Sequence, residues 1–376
     1  MKLRKMICMM MAVAMMLSLC AAVQAEDTVK IGMTGPMTGP AASYGISVRQ
    51  GEQLAVDEIN ALGGIQLELN PQDDEADGEK AVNAYNTLMD WGMQMIAGAV
   101  TTGSCLAIST EAQNDRVFMM TPSGSSPDII TGKDNVFQMC FTDPAQGITD
   151  AKYVAENKLA SKVAIIYNNG DTYSTGIYQA FETEAKALGL EVVSVSTFTD
   201  DTTDFSVQVT NAKQAGAELV FLPIYYTPAS MILKQADAID YHPIFCGSDG
   251  MDGVLNIEGF DPALAEGVLL LTPFSANSPD EKTQAFVAAY QAAYGGTPDQ
   301  FAADGYDVIY AMYAAIQATG ITADTPAEEC CDKIIEFLKT YSHDGVTGVT
   351  SWDEEGAASK VPLAVVIKDG KYEKVN

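Results

Sequence analysis

Five short apolar runs in this chain each end in residues suited to holding a small charged molecule. After Met93–Ala99 comes Val100-Thr-Thr-Gly-Ser104, with Ser104 at an expected helix start. After Val117–Thr121 comes Pro122-Ser123-Gly124-Ser125-Ser126. Val163–Tyr167 leads to Asn168-Asn-Gly-Asp-Thr-Tyr173, Leu219–Ile224 to Tyr225 and Tyr226, and Pro243–Cys246 to Gly247-Ser248-Asp249-Gly250. The first two ends offer small hydroxyls and free backbone N–H groups, which suit a carboxylate. The others offer aromatics for an apolar group and one carboxylate, Asp249, for an ammonium. Together they read as a site for a zwitterion. Singly, each Ser reads equally as a helix N-cap and each Tyr as a packed strand-end aromatic. Their joint placement carries the argument.

The elements that must position these residues alternate along the chain. Val29–Met33 is an apolar strand feeding the loop Thr34-Gly-Pro-Met-Thr-Gly-Pro-Ala-Ala-Ser-Tyr-Gly45, which places Tyr44 as a wall for an apolar ligand, and a helix is expected from Ile46 to Leu62. Further strands are expected at Gln66–Leu69, Met93–Ala99, Val117–Thr121, Val136–Phe141, Val163–Tyr167, Glu191–Phe198, Leu219–Tyr226, Pro243–Gly247 and Gly267–Thr272. Runs such as Val163-Ala-Ile-Ile-Tyr167 are apolar throughout, the mark of parallel strands covered on both faces. Helical patterns between them close on Gly63, Gly189, Gly216 and Gly295. Repeated strand–helix–strand units define an α/β protein with right-handed crossovers, whose ligands bind beyond the carboxyl ends of the strands. The tail Pro362–Asn376 reads as a hairpin around Asp369-Gly370.

Residues 1–25 read as an export signal: Lys2, Arg4 and Lys5, then the apolar stretch Met6–Leu19, then Val23-Gln24-Ala25 before a mature Glu26. Leu17-Ser18-Leu19-Cys20 is a competing lipoprotein-type site, with Cys20 lipidated. The destination is the periplasm or the outer cell surface. Residues 26–376 exceed what one core usually covers, so two lobes are expected. A formal charge of −29 argues against nucleic acid and anionic lipid as partners. Cys105, Cys140, Cys246, Cys330 and Cys331 have no metal-type spacing and read as mostly free thiols, and with only His242 and His343 no metal site or other cofactor is expected.

Catalysis finds no support. The chain has no G-x-S-x-G elbow, P-loop or G-x-G-x-x-G, and neither His neighbours a nucleophile motif. Asp73-Asp-Glu-Ala-Asp-Gly78 resembles the start of a calcium loop, but its twelfth position is Ala84 rather than Glu.

In ordered sequence the chain resembles the leucine/isoleucine/valine-binding family of ABC-transporter solute receptors, type I periplasmic binding proteins. The matching features are Ile31-Gly-Met-Thr-Gly35, Tyr44-Gly45, Gly63-Gly-Ile65, Asp73-Asp74, Gly98–Ser104, Thr121-Pro-Ser123, Tyr173, Tyr225-Tyr226, Gly247–Gly250, Tyr306-Asp307 and Trp352-Asp353. The resemblance implies two mostly parallel sheets flanked by helices, joined by a three-crossing hinge near Thr142–Pro144, Thr272–Phe274 and Thr350–Asp353. Lobe 1 would comprise 26–142 and 274–350, and lobe 2 143–273 and 351–376. It implies a monomer that closes on an amino acid, of branched-chain or other hydrophobic type, and delivers it to a membrane permease. Ser104 matches the serine that binds the ligand carboxylate; Ser123 and Ser125 match residues holding the amino-acid backbone. Tyr173 matches the closing tyrosine of the second lobe, and Tyr225 or Tyr226 a second aromatic there. Asp249 stands where an acid takes the ammonium group, and Tyr44 and Phe301 where aromatics line the side-chain pocket. Ser123 replaces an alanine of well-known members, and Asp249 is one methylene shorter than the usual glutamate. The alternative reading is an amino-acid or amide sensor acting in trans.

Overall fold

The computed structural model describes residues 28–360 and 362–375, so the readings on the leader, Cys20 and Glu26 lie outside the described residues. The first sheet has five parallel strands in the order β2-β1-β3-β4-β5. They are β1 (Thr28–Gly35), β2 (Gln66–Asp73), β3 (Met95–Ala97), β4 (Phe118–Thr121) and β5 (Val136–Gln138). The second sheet runs β14-β13-β10-β9-β8-β6-β7. Its members β6 (Lys162–Asn168), β7 (Glu191–Phe198), β8 (Leu219–Leu222), β9 (Ile244–Gly247) and β10 (Leu269–Thr272) are parallel. A separate hairpin pairs β11 (His343–Gly345) with β12 (Gly348–Thr350). The antiparallel pair β13 (Leu363–Lys368) and β14 (Lys371–Lys374) completes the second sheet at one edge. The turn joining that pair is Asp369-Gly370, both at positive φ, as a tight hairpin requires.

Among the described residues ten helices cover the sheets: α1 (Ala42–Ala61), α2 (Gly78–Trp91), α3 (Thr102–Asn114), α4 (Asp143–Glu156), α5 (Thr172–Ala187), α6 (Ser206–Gln214), α7 (Tyr226–Ala238), α8 (Glu281–Tyr294), α9 (Gln300–Thr319) and α10 (Ala327–Leu338). The central strands Phe118-Met-Met-Thr and Leu219-Val-Phe-Leu are buried at every position, because helices lie on both faces. Helix starts are fixed by Asp side chains at Asp77, Asp171, Asp280 and Asp299, each accepting a backbone N–H of the first turn. Helices α1 and α9 pack closely where Gly51 faces the Ala302 carbonyl, a contact that leaves no room for a Cβ.

Several expected bounds shift for local reasons. α1 begins at Ala42 rather than Ile46, which puts Tyr44 in its first turn. β8 stops at Leu222 because Pro223 has no N–H to donate to the ladder. β5 stops at Gln138, whose side-chain amide donates to the carbonyls of Gly124 and Ser126. The largest shift concerns the third crossing. Trp352 Nε1 donates to the Gln138 carbonyl, Gln138 N donates to the Gly356 carbonyl, and Trp352 packs on Phe137. The segment from Trp352 to Ala358 therefore stays with the first sheet. The chain returns to the second sheet only after Ser359, not at Thr350–Asp353. Among the described residues no helix is long and apolar enough to cross a membrane, and no group of His, Cys, Asp and Glu is arranged to hold a metal ion.

Candidate functional site

The carboxyl ends of both sheets meet at a small cavity lined by Tyr44, Val100, Thr101, Thr102, Ser123, Tyr173, Tyr225, Asp249, Gly250 and Phe301. Two layers of the molecule close over it. Thr227 Oγ1 donates to the Pro40 carbonyl, Ser43 N to Tyr226 Oη, and Tyr226 N to Tyr44 Oη at 3.2 Å. Tyr44 Oη itself donates to the Gly250 carbonyl. Tyr44, Val100 and Phe301 share one apolar cluster with Ile224, Tyr226 and Met251. The two sheets' ends are thus held together around the cavity.

On the first sheet's side the polar wall is built by the turn after β3 and the loop after β4. Thr101 precedes α3 with extended backbone and Thr102 is the first helical residue, so its N–H belongs to the unpaired donors at a helix start. Ser123 anchors its loop by donating to the Val100 carbonyl at 2.7 Å. Ser104 lies two residues into α3, fully buried, accepting from Thr101 Oγ1 at 3.3 Å beside the buried Asp74. It is outside the cavity lining. Ser125 is likewise buried behind the wall; its carbonyl accepts from Asp143 N at 2.9 Å.

On the second sheet's side Asp249 opens a single helical turn after β9 and is 4% exposed. Burial pushes its carboxyl up to about 6, opposed by hydrogen bonds from Tyr173 and the Gly250 N–H. Tyr173 Oη donates to Asp249 Oδ1 at 2.7 Å and accepts from Gly250 N at 2.9 Å. Gly250 allows this because a Cβ there would run into the Tyr173 hydroxyl. Gln146 Oε1 accepts from Asp249 N at 3.2 Å, and Gln300 Nε2 donates to its carbonyl at 3.3 Å. Tyr225 stacks on Tyr173 with centroids 4.9 Å apart and meets Tyr44 edge-on at 5.5 Å. Phe301, in the first turn of α9, lies 4.6 Å from the Tyr44 ring.

Of the expected site residues, Tyr44, Ser123, Tyr173, Tyr225, Asp249 and Phe301 come together at the cavity. Ser104, Ser125 and Tyr226 do not line it. Tyr226 faces a surface groove and binds Ser43 across the cleft. Val100, Thr101, Thr102 and Gly250 line it without having been singled out. The threonines were missed because the helix starts two residues before Ser104; the extended Thr101 followed by a helical Thr102 is the signal that would have found them.

This is the architecture of a two-lobe receptor that encloses a small molecule. Residues 28–371 match the model of the periplasmic binding protein family, and the chain belongs to that family. Within it the chain is a member of the leucine/isoleucine/valine-binding branch. It is 30% identical over 305 residues to Leu/Ile/Val-binding protein homolog 3 of Brucella melitensis, covering 80% of this chain and 81% of that protein. With the Leu/Ile/Val-binding protein of Escherichia coli K12 it shares 29% identity over 344 residues, 88% of each chain. The structure is similar to the branched-chain amino acid transporter substrate-binding protein LivJ of Streptococcus pneumoniae in complex with isoleucine. The TM-score there is 0.85 at 29% identity, over 93% of this chain and 99% of that one.

Proposed function

We propose that this protein is the extracytoplasmic solute-binding protein of an ABC importer, closing two lobes on one α-amino acid and presenting the closed form to a membrane permease. The observation that carries the ligand assignment is Asp249 sharing one cavity with Thr102 and Ser123. The ligand carboxylate sits at the start of α3, against the N–H and hydroxyl of Thr102, with Thr101 and Ser123 shaping the wall beside it. Its ammonium group faces Asp249. Tyr44, Val100, Tyr225 and Phe301 surround the side chain, which favours a branched-chain or other hydrophobic amino acid, as do the names of the relatives. The role is capture, not catalysis.

The first lobe comprises residues up to about 142 with 274–358, and the second 143–273 with the C-terminal strands. In the open form the threonine and serine wall is exposed. Ligand then gains Tyr173, Tyr225 and Asp249 only when the lobes close, so it favours closure by contacts that the open form lacks. Residues 1–25 export the chain, leaving either a free Glu26 or a lipid on Cys20. The reading is tested by calorimetric titration of refolded, ligand-free protein with each of the amino acids, short amides and aromatic acids. It requires at least one hydrophobic α-amino acid to bind and the amine-free acids to fail.

A further inference from the structure

We propose that closure of the cleft takes up a proton at a pair of acids, Asp252 of the second lobe and Asp299 of the first. The inference rests on the closing motion proposed above but on no ligand. Asp252 follows the helical turn that carries Asp249. Its Oδ2 accepts from Gln300 Nε2 at 3.1 Å and from Gln300 N at 3.5 Å. Gln300 is the first residue of α9, and Asp299 is the residue that caps it. Asp299 Oδ1 accepts from Ala302 N at 3.0 Å and its Oδ2 from Ser47 Oγ at 2.6 Å. Two carboxylates, one from each lobe, thus converge on a single helix N-terminus. Such a terminus offers about half a positive charge, enough for one of them.

Beyond Gln300 and the Tyr372 hydroxyl, which oppose the rise at Asp252, the surroundings supply no positive charge for the second. Asp252 Oδ1 is buried with no hydrogen-bond partner. The groups that face the pair are acids or phenols: Tyr372 from β14, Tyr44 from α1, Tyr290 from α8, and Asp249 on the same turn. Among the described residues no Lys, Arg or His pairs with either carboxylate. Burial raises both acids, and Asp252 is raised further by Asp299. Opening the cleft withdraws Asp252 from Gln300 and Asp299 into water, where a carboxyl titrates near its usual value of about 4. The closed form therefore keeps a proton that the open form releases. Closure is favoured as pH falls and weakens as pH rises through the interval between the two titrations, by up to about tenfold per pH unit. Above that interval both forms are ionised and the dependence ends.

Small-angle X-ray scattering of the ligand-free mature protein tests this. Wild type is expected to be compact at about pH 5.5 and to show a larger radius of gyration at about pH 8.5. Asp252→Asn keeps an acceptor for Gln300 without the charge, and should stay compact at both. Asp299→Asn keeps a helix cap and relieves the same repulsion, so it should read the same way, and it decides the matter if Asp252→Asn fails to fold by circular dichroism. A wild-type radius of gyration that is unchanged between the two pH values overturns the proposal. So does a folded variant that expands as wild type does. Because no ligand is added, the result is independent of which molecule the cavity takes.

Discussion

Tyr173 and Asp249 are hydrogen-bonded side chain to side chain inside the cavity: the phenol donates to the carboxylate at 2.7 Å and is itself held by the Gly250 N–H. The pairing resolves a conflict. A carboxylate that must meet an ammonium group has to be ionised, yet burial pushes Asp249 up to about 6. The phenol's donated proton and the Gly250 N–H oppose that rise, and they orient the acid toward the cavity before ligand arrives.

Replacing Tyr173 by Phe should weaken amino-acid binding by about 1–3 kcal/mol, because a hydrogen bond to a charged group is lost and the acid's pKa rises further. The check is calorimetric titration near neutral pH against wild type. The stacked Tyr225 ring remains, so thermal stability of the ligand-free protein should change little by comparison.

Thr102→Ala and Ser104→Ala separate two readings of the carboxylate site. Thr102 lines the cavity at the first position of α3, whereas Ser104 is turned toward Asp74. Thr102→Ala should cost about 1–3 kcal/mol of affinity through loss of a donor to a charged acceptor. Ser104→Ala should leave the dissociation constant within about twofold. Equal losses in the two titrations would restore Ser104 as a ligand contact.

How legible was all this in the sequence? The parallel core strands were, because Phe118–Met120 and Leu219–Leu222 are continuous apolar runs, as strands covered on both faces require. Asp249, Tyr173 and Ser123 were legible because each follows directly on such a strand or opens the helix after it. What sequence spacing left open was which of two adjacent residues faces inward. Tyr225 caps α7 and lines the cavity, while Tyr226, one residue on, is carried round the first helical turn to the outer groove. A two-residue error in the start of α3 made the same difference between Thr102 and Ser104. The third crossing was misplaced because Trp352 and Gly356 bond to the backbone of Gln138, a long-range contact with no local pattern.

Stability of the ligand-free protein should fall as pH rises. Burial pushes the carboxyls of Asp74, Asp171 and Asp249 up to about 6 each. In the unfolded chain they titrate near 4, so between the two values the folded state binds more protons. The stabilising effect is complete below about pH 4, falls as pH rises from there, and is lost once pH passes about 6. Differential scanning calorimetry should give a Tm higher by a few degrees at about pH 5.5 than at about pH 7.5. A Tm that rises over this interval would contradict the burial of these acids in ionisable form.

Gly51→Ala should destabilise the fold without touching the cavity. A methyl group at this position collides with the Ala302 carbonyl where α1 crosses α9. Forced separation of two packed helices costs about 1–3 kcal/mol. Urea unfolding of the variant should show a lower midpoint with an unchanged slope.

The most direct test compares one α-amino acid with its des-amino analogue. Leucine and 4-methylpentanoate share carboxylate and side chain and differ only in the ammonium group that Asp249 is proposed to receive. Calorimetric titration of refolded, ligand-free protein should give binding of leucine and none of 4-methylpentanoate, with Asp249→Asn losing most of the leucine affinity. Binding of the two compounds with equal affinity, or an Asp249→Asn variant that binds leucine as wild type does, would contradict the assignment of this cavity to an α-amino acid.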